Sequence, residues 1–203
     1  TLAIFMGFFT RVVFTRTLSE GYVGINGLFT DILNILSLSE LGVGTAITYA
    51  LYAPIARRDI KKQQILMRMF RNFYRITAGF VLLAGLCLIP FLDILMKDRP
   101  DVNHLIIIYL LYLLNSVVSY LLIYKKTLVD AHQMNYITVM YHNGFLVLQD
   151  ILQIMVLFLT RNFILFLVIA VVCTIIGNIC MSRKADRLFP YLKEPCKEQL
   201  PQE

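Results

Sequence analysis

Charge is scarce in this chain: only 16% of its 203 residues are Asp, Glu, Lys or Arg, while 58% are hydrophobic. A soluble domain carries roughly 25% charged and 45–50% apolar residues. Catalytic signatures are missing as well. There is no GxxxxGK[ST] phosphate loop, no GxGxxG, no HExxH and no nucleophile elbow, so nothing marks an ATPase, a dinucleotide enzyme, a zinc hydrolase or a serine hydrolase. His104, His132 and His142 are far apart and show no metal-ligand spacing. Of the four cysteines, Cys87, Cys173 and Cys180 lie in apolar runs, Cys196 lies in the tail, and none forms a CxxC pair. They read as small buried hydrophobes rather than disulfide or zinc partners. No cofactor and no metal are expected. Asp130-Ala131-His132 is the one candidate for an intramembrane catalytic pair, and a solvated helix end is the preferred reading of it.

The chain also lacks the start of a secretory signal: it opens on Thr1 and an apolar run, with no basic n-region and no small-residue cleavage site. Thr1–Phe14 falls short of the roughly 20 residues a membrane span needs. It is expected to be the C-terminal part of a first helix that begins upstream, and the charged far end is expected to run on into further chain.

What is present comes in blocks. Apolar segments cover about 1–17, 22–52, 73–96, 104–124, 136–159 and 163–181, and mean hydropathy is +0.70. The complete segments are long enough to cross the roughly 30 Å hydrocarbon core. Helices are the reading, because in lipid only a helix or a closed barrel satisfies its own backbone hydrogen bonds, and the alternating ten-residue strands of a barrel are absent. The expected fold class is therefore all-α, a polytopic transmembrane helix bundle. The lobe is expected over 1–182, with 183–203 as a charged tail.

The breaks between segments alternate in charge. Arg57, Arg58, Lys61, Lys62, Arg68, Arg71 and Arg75 share one side with Lys125, Lys126 and the tail residues Arg183, Lys184, Arg187, Lys193 and Lys197. The other side keeps only Arg11, Arg16, Lys97, Arg99 and Arg161. The positive-inside rule places the richer side in the cytoplasm, so the net charge of +6 needs no nucleic-acid partner. In Arg58–Tyr74, Ile65, Met69 and Phe73 form an apolar face among basic residues. That pattern suits an interfacial helix on an anionic leaflet and equally a cytoplasmic extension of the third span.

Polar residues within the spans are the informative ones, since each costs free energy in hydrocarbon unless paired or hydrated. Asn26, Thr30, Asp31, Asn34, Ser37, Thr45 and Thr48 fall within about 140° of the second span, with Glu40 just beyond. Tyr109, Tyr112, Asn115, Ser116, Ser119 and Tyr120 form such a stripe on the fourth. Asn135, Thr138, His142, Asn143, Gln149, Asp150 and Gln153 form one on the fifth. For Ser, Thr and Asn taken singly, helix-to-helix hydrogen bonding is the preferred role. For Asp31, Glu40 and Asp150 a hydrated cavity is preferred, because an unpaired charge is costly. The third and sixth spans lack stripes and are expected at the periphery. Arg11 is either a snorkelling interface residue or a cavity cation suited to phosphate. Gly42 and Gly44 allow a bend or a close approach in the long second span.

The runs Arg11-Val-Val-Phe14-Thr-Arg16-Thr-Leu18-Ser, Gly21-Tyr22-Val-Gly24-Ile-Asn26-Gly27-Leu28-Phe29, Leu36-Ser37-Leu38-Ser39-Glu40-Leu41-Gly42-Val-Gly44-Thr45-Ala46-Ile47 and Leu51-Tyr52-Ala-Pro54-Ile-Ala56, with Tyr120, Lys125/Lys126 and Gln133-Met-Asn135-Tyr136, are together similar to the polysaccharide transporter family. That family is the O-antigen and capsule repeat-unit flippase branch of the multidrug/oligosaccharidyl-lipid/polysaccharide exporter superfamily. The resemblance implies about six helices here, forming the first lobe of a 12–14-helix transporter in a bacterial cytoplasmic membrane. It implies an undecaprenyl-pyrophosphate-linked oligosaccharide substrate, flipped by alternating access from the cytoplasmic to the outer leaflet, with membrane lipids and other polysaccharide-assembly proteins as partners. It places Arg11, Arg16 and Glu40 in the cavity, beside Asp31, Asn34, Asn115 and Asp150 from the stripes. A cation-coupled drug or metabolite antiporter of the same superfamily is the alternative.

Overall fold

The computed structural model describes residues 2–37, 43–92 and 104–193. Among them the chain is helical throughout, with no strand. Eight α-helices follow in order: α1 (Leu2–Thr17), α2 (Glu20–Ser37), α3 (Val43–Ala56), α4 (Ile60–Leu88), α5 (Leu105–Leu121), α6 (Ile123–Ala131), α7 (Asn135–Thr160) and α8 (Phe163–Leu188). A 3-10 turn extends α4 over Ile89–Phe91, and another follows α8 over Pro190–Lys193.

Three of these helices are long and apolar enough to cross a membrane: α4 with its 3-10 turn, α7 and α8. The α5–α6 pair, bent by 41°, makes a fourth if it is one span. Their outward faces are apolar, as on α4, where Ile76, Phe80 and Leu83 stand largely exposed. Such a surface suits lipid, since water would drive it inward. The first apolar segment corresponds to α1, and the second to α2 and α3. Glu40 and Gly42, with the expected bend, lie outside the described residues.

Local chemistry sets the connections. Asp59 caps α4, its carboxylate accepting from the Lys62 N–H at 3.0 Å. Asn162 caps α8, its Oδ1 accepting from the N–H groups of Ile164 (2.9 Å) and Leu165 (3.4 Å). Both use a side-chain oxygen to satisfy otherwise orphaned helix donors. Arg58, Gln133 and Arg161 hold positive φ (55°, 60° and 50°) just past the ends of α3, α6 and α7, the left-handed step that terminates a helix and reverses the chain.

Packing places α8 between α5 and α7, with α1 packed on α7 and α4 on α5. The sixth span is thus central, not peripheral as its lack of a polar stripe suggested. Its position rests on apolar burial (Phe163, Leu167, Val171 and Cys173) and on Gly177, where an added Cβ would stand 3.1 Å from the Phe145 ring of α7. From Ile60 onward the segment 58–74 is one unbroken helix with the third span, the continuity that an extension of that span requires. By helical rise α4 is about 43 Å long, so its basic first half projects beyond a roughly 30 Å core.

At this basic end residues 183–193 pack against the bundle. Tyr191 donates to Gln63 Oε1 at 2.6 Å, and Gln63 Nε2 donates to the Pro54 carbonyl at 3.2 Å. Burial pushes the Tyr191 phenol above its ordinary pKa, keeping it a donor. Lys125 Nζ bridges both Asp186 carboxylate oxygens at 2.8 Å, tying α6 to α8. The two side chains are only 15% and 21% exposed, so removing one partner leaves a charge half-desolvated. Lys125→Ala is expected to lower unfolding stability in detergent by about 1–2 kcal/mol, between the surface and fully buried cases. The Lys125→Ala/Asp186→Ala double variant should recover part of that loss in a double-mutant cycle.

Candidate functional site

The polar side chains of the bundle gather in two places. The first lies toward the end opposite the basic face. There Tyr112 of α5 donates its hydroxyl to Asn26 Oδ1 of α2, and the Arg11 guanidinium of α1 is near enough to the Tyr112 hydroxyl to act on it electrostatically. One residue earlier, Thr10 donates to Asp150 Oδ1 of α7 at 3.1 Å. Consecutive residues of α1 thus address two different helices, as the 100° step between them requires.

Aromatic rings cover this cluster. Phe14 meets Phe163 and Phe166 with centroids 5.5 and 5.3 Å apart, and Tyr22 meets Phe163 at 5.1 Å. Phe29 stands edge-on to both Tyr109 (5.1 Å) and Tyr112 (5.9 Å). These tilted and edge-to-face pairs join α1, α2, α5 and α8 where α1 ends and α8 begins.

The second place is a cavity of about 310 Å³ in the half nearer the basic face. Asn115 and Ser119 line it from α5, Lys126 from α6, Thr138, His142 and Gln149 from α7, and Thr174 and Asn178 from α8. Tyr141 and Phe145 form an aromatic edge, and Cys173 and Met181 an apolar one. Asn178 Nδ2 donates to the Val118 carbonyl at 3.2 Å, pinning α8 to α5. Asn115 Oδ1 is buried and has no hydrogen-bond partner among the described residues. No carboxylate lines this space.

The expected site residues therefore separate. Asn115 lines the cavity, and Asp150 is half-buried with Thr10. Arg11, Arg16, Asp31 and Asn34 are exposed on α1 and α2, Arg11 within electrostatic reach of Tyr112. Glu40 lies outside the described residues. The polar stripes of the fourth and fifth spans do converge, whereas no described residue of α2 lines the cavity. Part of each stripe is structural: Tyr109 donates to the Gly85 carbonyl at 2.8 Å, and Gln153 donates to the Phe166 carbonyl at 3.1 Å.

Lys126, Thr174 and Asn178 are cavity residues that the sequence reading passed over. Thr174 and Asn178 stand four apart on an otherwise apolar helix, a spacing that shares one face and was the available signal. No family model, curated protein or solved structure matches the chain. Function is therefore argued from these residues and their geometry.

Proposed function

We propose that the chain forms one lobe of a flippase for lipid-linked oligosaccharides, working by alternating access during the assembly of capsule, exopolysaccharide or O-antigen. The carrying observation is the cavity: hydrogen-bonding groups from α5, α7 and α8 and a cation from α6 converge inside a bundle whose outer surface is apolar. Polar groups at that depth are costly, and a hydrated path for a polar headgroup offsets the cost. The positive-inside rule makes the basic end cytoplasmic. The cavity then occupies the cytoplasmic half, and the aromatic cluster closes the outer half. That arrangement suits a lobe that loads from the inner leaflet.

Asp150 favours a second reading. A carboxylate held by a threonine hydroxyl between α1 and α7 is a group that protonation or a cation could switch, as a cation-coupled antiporter requires.

The test uses the full reading frame, expressed in a strain lacking its own repeat-unit flippase. Lipid-linked repeats trapped on the cytoplasmic leaflet are expected to clear, with surface polysaccharide restored. A pool that stays trapped while the protein is well inserted, together with proton-dependent drug efflux, would instead establish the antiporter.

A further inference from the structure

The basic end of α4 carries more charge than the chain neutralises. The described carboxylates at that end are already committed. Asp59 caps α4 at the Lys62 N–H, Asp130 accepts from Thr138 at 2.7 Å, and Asp186 holds Lys125. Arg71 is half-buried and Arg75 exposed, and neither has an ion pair or a side-chain hydrogen bond among the described residues. They stand one turn apart on one face, about 6 Å by rise. Lys61 and Arg68 continue the same ridge, all four falling within about 80° around the helix. An uncompensated cationic ridge of this kind draws an anion from outside the chain.

Position along the helix says which anion. Arg75 is the last charged residue before the apolar stretch 76–91, so the two arginines stand where the hydrocarbon begins. The same face continues through Gly79, Leu82 and Leu86. Around Gly79 an added Cβ would meet nothing within 4 Å, and Leu82 and Leu86 are 38% and 40% exposed. From Arg75 to Leu86 is about 16 Å by rise, half of a roughly 30 Å core. A pair of cations at headgroup level thus adjoins an apolar strip as long as one leaflet is deep. A soluble anion would use the cations and leave the strip bare. A zwitterionic phospholipid would bring its own cation against the ridge, so charge selects a headgroup that is negative overall.

We propose that this face of α4 binds an anionic phospholipid of the leaflet on the basic side, with its phosphate at Arg71 and Arg75 and an acyl chain along Gly79, Leu82 and Leu86. The lipid supplies the counter-charge that the chain omits. The site requires only that α4 crosses a membrane and is independent of what the cavity carries.

The chain has no tryptophan, so Leu82→Trp places a single fluorophore on the strip. In phosphatidylcholine vesicles, phosphatidylglycerol with brominated acyl chains is expected to quench it at least about threefold more effectively than brominated phosphatidylcholine does, because two near-surface cations favour the anionic headgroup. Leu148→Trp, exposed on α7, a helix with no Lys or Arg, should show no such preference. In the Leu82→Trp chain, Arg71→Gln/Arg75→Gln should bring the ratio to about one. Arg71→Lys/Arg75→Lys should keep most of the preference, since the charge is retained. Raising the salt from about 0.1 to 1 M shortens the screening length from about 10 to 3 Å and should shrink the preference in the chain that keeps both arginines. Equal quenching by the two lipids, an equal preference at Leu148→Trp, or a preference that neither the glutamine pair nor high salt diminishes would each overturn the site. So would loss of the preference on adding millimolar inorganic phosphate at constant ionic strength, which would make the ridge a site for soluble anions.

Discussion

Gly85→Leu is expected to abolish the native contact between α4 and α5, and Gly85→Ala to lower unfolding stability in detergent by about 1–3 kcal/mol. Gly85 is a point of close approach between the two helices. A Cβ on Gly85 would overlap Leu113 Cδ1 and stand 2.9 Å from Cδ2 and 3.2 Å from Cγ. All three atoms lie beyond Cβ and would move together on a χ1 rotation, so the cost depends on the room Leu113 has to turn. Leu113 is 1% exposed and has little space to turn into. Pushing the helices apart also stretches the 2.8 Å hydrogen bond from Tyr109 to the Gly85 carbonyl. Tyr109 and Leu113, one turn apart on α5, straddle the glycine, so both contacts fail together.

An opposing effect sets the sign. Alanine is the better helix former by roughly 0.8–1 kcal/mol, so Gly85→Ala would be favourable on an exposed face. Overpacking therefore has to exceed that gain. The Gly85→Ala/Leu113→Ala double variant separates the two. With the leucine removed, Gly85→Ala should become neutral or stabilising, and the pair should show a coupling of at least about 1 kcal/mol. If Gly85→Ala is stabilising in the unmodified chain, the α4–α5 approach is looser than described. In lipid the hydrophobic effect gives helices no reason to associate, so close contacts of this kind carry much of the bundle's cohesion.

How much of this was legible beforehand follows from what each signal depends on. Helices and their apolar faces come from local composition, and 58% hydrophobic residues in long blocks leave few other solutions in lipid. The polar stripes on α5 and α7 were readable because they depend only on the 100° step. Their meeting over α8 was not, since it needs Phe145 seated at Gly177 and Asn178 bonded to the Val118 carbonyl. The bend at Leu122 was hidden for a related reason. Nothing in Leu121-Leu122-Ile123 breaks a helix, and the 41° turn is held by tertiary contacts of α6 with α3, α4 and α8. That bend decides which of Lys125 and Lys126 meets Asp186 and which enters the cavity. In sequence the pair served only as an orientation marker.

Arg11→Ala in the full-length frame is expected to cut repeat-unit transport roughly 10- to 100-fold while membrane insertion stays normal. Losing a charged hydrogen bond to a phosphate-bearing head costs about 1.5–3 kcal/mol, and each 1.4 kcal/mol is tenfold. The bland alternative is that Arg11 snorkels: it is exposed and lies six residues, about 9 Å by rise, before the end of α1. Against that stands its setting. The guanidinium acts on the Tyr112 hydroxyl, which is already committed to Asn26, and no carboxylate pairs with it among the described residues. On the same turn, Thr10 holds Asp150 and Phe14 packs between Phe163 and Phe166. This fixes the rotation of α1, so Arg11 is presented to the α2–α5 side. A snorkelling role needs only a long cation, and Arg11→Lys would then transport as well as the parent. A cavity role uses the paired N–H groups of the guanidinium, which lysine lacks, and Arg11→Lys should then recover only part of the activity. Full transport by Arg11→Ala would remove Arg11 from the pathway.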